Sequence, residues 1–132
     1  MQCGVNLDTV QEIKDNMGKT IRKMLNVEER IDEVLNHMVN DYRNWIPNVI
    51  QDEERVQDWA SKLRVEYGNK YIKIWQDNSI CMFIVNVVND KKFAFGDILK
   101  PAGWRAPARN FARGSVFDTI SMEGCVRWTG AS

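Results

Sequence analysis

Lys100, Arg105, Arg109 and Arg113 crowd into a segment with no acidic residue between Asp97 and Asp118. A guanidinium stays protonated and grips a phosphate through two parallel N–H donors. Trp104 and Phe111 lie in the same segment and offer flat faces on which a base can stack. Asp97 can accept from ribose hydroxyls, and Asn110 can serve a base edge or a phosphate. These residue types suit a nucleotide with two phosphates. Were residues 108–113 one helical turn, Arg109 and Arg113 would share a face, four residues apart. A plainer reading of the same residues has Trp104 and Phe111 as core anchors and the arginines paired with acidic helices elsewhere. Pro101 and Pro107 disfavour a continuous helix or central strand, so an ordered loop is expected here. Gly103 and Gly114 permit unusual backbone angles or close approach of a ligand.

Catalysis finds less support. The sole histidine, His37, sits near Asp32, Glu33 and Asp41 in a helical stretch, where a solvated or interface role is expected. No nucleophile elbow, phosphate-binding loop or dinucleotide fingerprint occurs. Cys3, Cys81 and Cys125 are odd in number and widely spaced. They suit a reducing cytoplasm and argue against a disulfide framework or structural zinc. The expectation is a binding protein: no enzyme, no cofactor, no metal.

The elements that must position this loop fall into two halves. In residues 1–67, Thr9 and Glu12 form a capping-box pattern. Val10, Ile13, Met17, Thr20, Met24, Val27, Ile31, Val34 and Met38 then follow at steps of three and four. That spacing predicts an amphipathic helix with heptad character from Thr9 to about Asp41. At 1.5 Å per residue it runs roughly 50 Å, against about 36 Å for a globule of this mass. It must therefore break, near Gly18 or between Asn36 and Asn40, or project and find a partner. Self-association is expected. Pro47 opens a second helical stretch, with Val49, Val56, Trp59, Ala60 and Leu63 on one face, ending near Gly68.

In residues 68–132 the period changes to two. Tyr71 to Trp75 alternates, Asp77-Asn78-Ser79 turns the chain, and Ile80 to Val88 reads as a central strand buried on both faces. A third strand is predicted at Lys92 to Phe95, with short strands around Ser115 to Phe117 and Cys125 to Trp128. Helices first and strands afterwards imply an α+β fold, long N-terminal helices packed on a C-terminal antiparallel sheet, in a single domain over residues 1–132.

Charge sharpens the division. The 132 residues hold 18 Lys plus Arg against 18 Asp plus Glu, which sets aside a polybasic nucleic-acid protein on the total alone. Residues 1–67 nevertheless carry nine basic against thirteen acidic side chains, and residues 68–132 carry nine against five. Attraction between the halves is one explanation, and a local anion site is the other. No apolar run approaches the ~20 residues of a membrane span, and no signal-peptide pattern opens the chain.

The run from Asp97 through Lys100-Pro101-Ala102-Gly103-Trp104, Ala106-Pro107-Ala108-Arg109-Asn110, Ala112-Arg113-Gly114-Ser115 and Phe117-Asp118 resembles the C-terminal signature of a phage family, the first type of the Tad (Thoeris anti-defence) sponges. The recognisable residues span about Tyr71 to Asp118. The resemblance implies a phage protein in the cytoplasm of the infected bacterium that captures glyco-cyclic ADP-ribose made by a TIR-domain sensor, without cleaving it. It implies phosphate-holding roles for Arg109 and Arg113, a stacking role for Phe83, and a ligand contact at Asp97. It also implies a homo-oligomer, a dimer or a hexamer built from dimers, and in some members a second site for cyclic oligonucleotides. The alternative is a small RNA- or DNA-binding regulator that uses the Lys100 to Arg113 loop.

Overall fold

A computed structural model describes the backbone of residues 7–46 and 52–132, and the side chains of residues 26–46 and 52–132. Helix α1 runs unbroken from Leu7 to Trp45, with no break at Gly18 or between Asn36 and Asn40. Its 39 residues extend about 58 Å at 1.5 Å each. The helix begins two residues before Thr9, which therefore lies inside its first turn and not at its cap. Val27, Ile31, Val34, Met38 and Tyr42 are buried, one stripe at steps of three and four. The earlier part of the expected stripe lies outside the described side chains.

Helix α2 spans Glu53–Ser61, with Glu53 and Glu54 in its first turn and Val56 and Trp59 buried. Acids near a helix N-terminus complement its dipole. The expected start at Pro47 lies outside the described residues. The expected end near Gly68 is corrected: the chain leaves the helix at Lys62 and enters strand β1, Leu63–Tyr67. Leu63 and Val65 pack on the core while Arg64, Glu66 and Tyr67 stay exposed. That alternation is the period of a strand, and it outweighs the helical reading once a partner strand is available.

Strands β2 (Tyr71–Gln76), β3 (Ser79–Val85), β4 (Asp97–Leu99) and β5 (Gly114–Ser115) complete a five-stranded antiparallel sheet in the order β1-β2-β3-β4-β5. Leu63 faces Gln76, Tyr71 faces Val85, and Ile84 faces Ile98. The two-residue turn Asp77-Asn78 joins β2 to β3, with Asp77 in the left-handed region at φ 56°. Strand β3 is buried on both faces, as its apolar run predicts, but it ends at Val85 and not at the expected Val88, which is exposed. The strand expected at Lys92 to Phe95 is not formed. Asp90 accepts from the amides of Lys92 and Phe93, and Asp97 accepts from the amide of Ala94. These side chains hold residues 90–95 in turns, and pairing resumes at Asp97.

Helix α3, Thr119–Cys125, has no counterpart in the sequence reading. Asp118 caps it by accepting from Ile120 and Ser121. Strands β6 (Val126–Arg127) and β7 (Gly130–Ala131) form a separate hairpin. A Cβ on Gly130, at φ 123°, would meet the Cys81 carbonyl oxygen at 2.4 Å, so only glycine lets this hairpin approach β3. The hairpin is also tied to α1. His37 Nε2 donates to the Val126 carbonyl at 3.0 Å, and the Trp128 amide donates to Asp41 at 2.8 Å.

The sheet divides two cores. Ile72, Ile74, Met82, Ile84 and Ile98 join α1 and α2 on one face. Phe83, Val85, Phe93 and Leu99 cluster on the other. The architecture is α+β, with helices on one sheet face. No described helix is long and apolar enough to cross a membrane.

Candidate functional site

The basic segment is a pinched finger. Pro101 and Pro107 bridge across it, the amides of Ala102 and Gly103 both donate to the Ala106 carbonyl, and Ala108 donates to Lys100. Neither proline has an amide N–H to donate, and both fit this isolated bridge outside the strands. Trp104 and Arg105 lie between those closures, with the guanidinium 4.3 Å from the indole centroid and the ring 60% exposed. Beyond the finger the chain is irregular, with a bend at Asn110, and the Arg113 amide donates to the Ile98 carbonyl. Residues 108–113 thus form no helical turn, which removes the shared face expected for Arg109 and Arg113.

Arg109 turns inward. Its Nη2 donates to both carboxylate oxygens of Asp90 at 2.9 Å, Nη1 donates to the Tyr71 hydroxyl, and the guanidinium lies 4.8 Å from the Phe93 centroid. The Asp90 side chain is only 3% exposed. Charge-assisted bonds from Arg109, then the amides of Lys92 and Phe93, hold its carboxyl well below the usual carboxylate range. The Arg109 guanidinium is pushed up in turn, first by its bond to Asp90.

Around this pair opens a groove of about 440 Å³, lined by Asn69, Lys70, Val87, Asn89, Asp90, Lys91 and Arg109. Strand pairing creates it. Tyr71 faces Val85, so the turn before β2 and the segment after β3 meet at one end of the sheet. Asn86 fixes the meeting, its amide donating to Lys70 O and its side chain to Gly68 O, both at 2.8 Å. Three basic side chains and one carboxylate line it. Lys70, Lys91, Asn69 and Asn89 are not among the site residues expected from the sequence, and nothing local signals that their two segments converge.

The other expected residues lie elsewhere. Arg113 stacks on Phe111, 3.9 Å from the ring centroid, and donates to Asn110 Oδ1 at 3.4 Å; its Nε is buried without a partner. Arg113, Asn110, Trp104 and Arg105 are not among the residues lining the groove. Asp97 accepts the Ala94 amide at 2.9 Å and shapes the entry to β4. Phe83 is fully buried with Tyr71 against it edge-on, so its ring presents no face to a ligand. The stacking role expected of Phe83 is corrected to a core role.

Attraction between the halves finds no ion pair among the described residues. Arg30–Glu33, Arg43–Glu53, Arg55–Asp52, Lys62–Asp58, Arg64–Glu66 and Arg109–Asp90 all pair within one half. Among the described residues, the basic side chains of the loop are therefore not paired with the acidic helices. Among the described residues, no group of three His, Cys, Asp or Glu side chains is placed to hold a metal ion.

A family model matches residues 10–132, described as a family of unknown function (DUF7717). The chain belongs to that family. The match takes in α1 from its fourth residue, the whole sheet and the basic finger together. No curated protein and no solved structure matches the chain.

Proposed function

We propose that this protein binds a small phosphorylated nucleotide without transforming it. The observation that carries the reading is the groove in which Lys70, Lys91 and Arg109 converge beside Asn69 and Asn89. Cations grip phosphate, asparagine side chains serve base edges or sugar hydroxyls, and the cavity falls in the roughly 300–1,000 Å³ range of small-ligand sites. Asp90 fixes the Arg109 guanidinium before a ligand arrives, and preorganisation of this kind lowers the entropic cost of binding.

The finer reading follows from the sequence resemblance. The nucleotide is glyco-cyclic ADP-ribose, captured intact in the infected bacterial host by a homo-oligomer, so that Thoeris defence is blocked. Arg113 and Arg105, each stacked on an exposed aromatic ring, supply further cationic edges outside the groove, where a partner chain or a second ligand can meet them.

The test is incubation with a nucleotide mixture made by a TIR-domain enzyme, then heat release and mass spectrometry. Recovery of the intact cyclic nucleotide is the expected result, with affinity weakened roughly ten-fold in each of Lys70→Ala and Lys91→Ala. A protein recovered empty, or one whose affinity is unchanged by both substitutions, overturns the reading. Binding of duplex DNA with steep salt dependence supports the nucleic-acid alternative instead.

A further inference from the structure

A second cavity, of about 350 Å³, lies where the end of α1 meets the β6–β7 hairpin, lined by Asp41, Asn44, Trp45, Arg127, Trp128 and Thr129. Trp45 and Trp128 form its aromatic wall, backed by Tyr42 and Trp59. Tyr42 and Trp59 lie nearly parallel at 4.4 Å, Trp128 meets Tyr42 edge-on at 5.3 Å, and Trp45 lies 4.7 Å from Trp128. Tyr42 and Trp59 are buried, whereas Trp45 is 56% exposed at the cavity. Leaving a large indole in water forgoes much of the stabilisation its burial would bring. An exposed ring seated on a rigid aromatic stack is a platform.

The polar groups around that platform select the ligand class. Asp41 and the Asn44 carbonyl accept; the Arg127 guanidinium, the Asn44 amide and the Thr129 hydroxyl donate. One acid balances one base, so neither an anion nor a cation is favoured overall. A ligand with many hydroxyls needs donors and acceptors in alternation, and a sugar ring adds an apolar C–H face that lies flat on an indole. The frame is also held before binding. Asp41 accepts the Trp128 amide at 2.8 Å, and Arg127 Nη1 donates to the carbonyls of Glu123 and Val126 at 3.0 and 3.1 Å.

We propose that this cavity is a binding site for a neutral saccharide, stacked on Trp45 and Trp128 and hydrogen-bonded by Asp41, Asn44, Arg127 and Thr129. The site is separate from the Lys70–Lys91–Arg109 groove, shares no lining residue with it, and stands or falls independently of nucleotide capture.

Saturation-transfer NMR and calorimetry with maltotriose, cellotriose and triacetylchitotriose test it. The expected result is binding of at least one trisaccharide with a dissociation constant of about 1 mM or tighter, weakened roughly ten-fold by Trp45→Ala. Melting curves verify that this variant is folded. Should it not be, Asn44→Ala and Thr129→Val, both at exposed positions, carry the test with an expected several-fold loss. Absence of binding by all three sugars at about 10 mM overturns the proposal. So does sugar binding that is indifferent to these variants, or Trp45-dependent binding of adenosine or a proline-rich peptide in place of any sugar.

Discussion

Arg109 and Asp90 form a two-pronged ion pair across the mouth of the groove, with both carboxylate oxygens 2.9 Å from one guanidinium nitrogen. Asp90 also accepts two backbone amides, so one buried carboxylate closes its own turn and anchors the far segment. The Phe93 ring beneath the guanidinium completes the clamp. Arg109 is thus a structural side chain and a groove wall at once.

Acid should loosen the clamp. The folded protein holds Asp90 well below its ordinary value, so the native state binds this proton less readily than the unfolded chain. The stability it contributes is full at neutral pH, begins to fall as pH drops below about 4, and is lost once pH passes the native value. Thermal melts across pH should show a steep acid limb in the wild type and a flatter one in Asp90→Asn.

Substitutions around the groove should separate binding from folding. Lys70 and Lys91 are exposed and make no ion pair among the described residues. Lys70→Ala and Lys91→Ala are each expected to weaken nucleotide capture roughly ten-fold with an unchanged melting temperature. Arg109→Ala should lower both affinity and melting temperature, because it strands the Asp90 carboxylate. Calorimetric titration beside a melting curve distinguishes the two patterns.

Phe83 should behave as core. Phe83→Ala is expected to cost about 3–5 kcal/mol, the usual range for removing a buried aromatic ring. Phe83→Leu, which keeps most of the volume, should fold and retain capture undiminished. Loss of capture by a well-folded Phe83→Leu protein would restore a ligand contact at this position.

Cys81 should be unreactive. Burial pushes its thiol up to about 11, so at pH 8 roughly one molecule in a thousand carries the thiolate. Cys125 is buried and raised in the same direction. Peptide mapping after iodoacetamide treatment should find both unmodified in native protein and both alkylated in denaturant. Rapid native labelling of Cys81 would mean that the β3 region opens readily.

Much of the scaffold was legible because it follows from periods along the chain. The three-and-four spacing through Val27, Ile31, Val34 and Met38 is that of a buried helix face, and the helix that carries it passes Gly18 without a break. The apolar run through Met82, Phe83 and Ile84 gave the doubly buried central strand. Short elements were less legible. Leu63 to Tyr67 supports either a helix end or a strand, and its pairing with β2 decides between them. Residues 92–95 have strand-like composition, but the side chains of Asp90 and Asp97 capture their amides first.

The sequence by itself determined the α+β order of elements, the amphipathic helix, the central strand and the concentration of positive charge between Asp97 and Asp118. Each is a local property, written in residue type and spacing. Only the tertiary structure decided which cations converge. Antiparallel pairing of Tyr71 with Val85 brings Lys70 and Lys91 to the lining of one groove, and the non-helical course of residues 108–113 leaves Arg109 in that lining and Arg113 against Phe111. Convergence depends on strand register and backbone direction, which are set by contacts distant in the chain and leave no periodic trace along it.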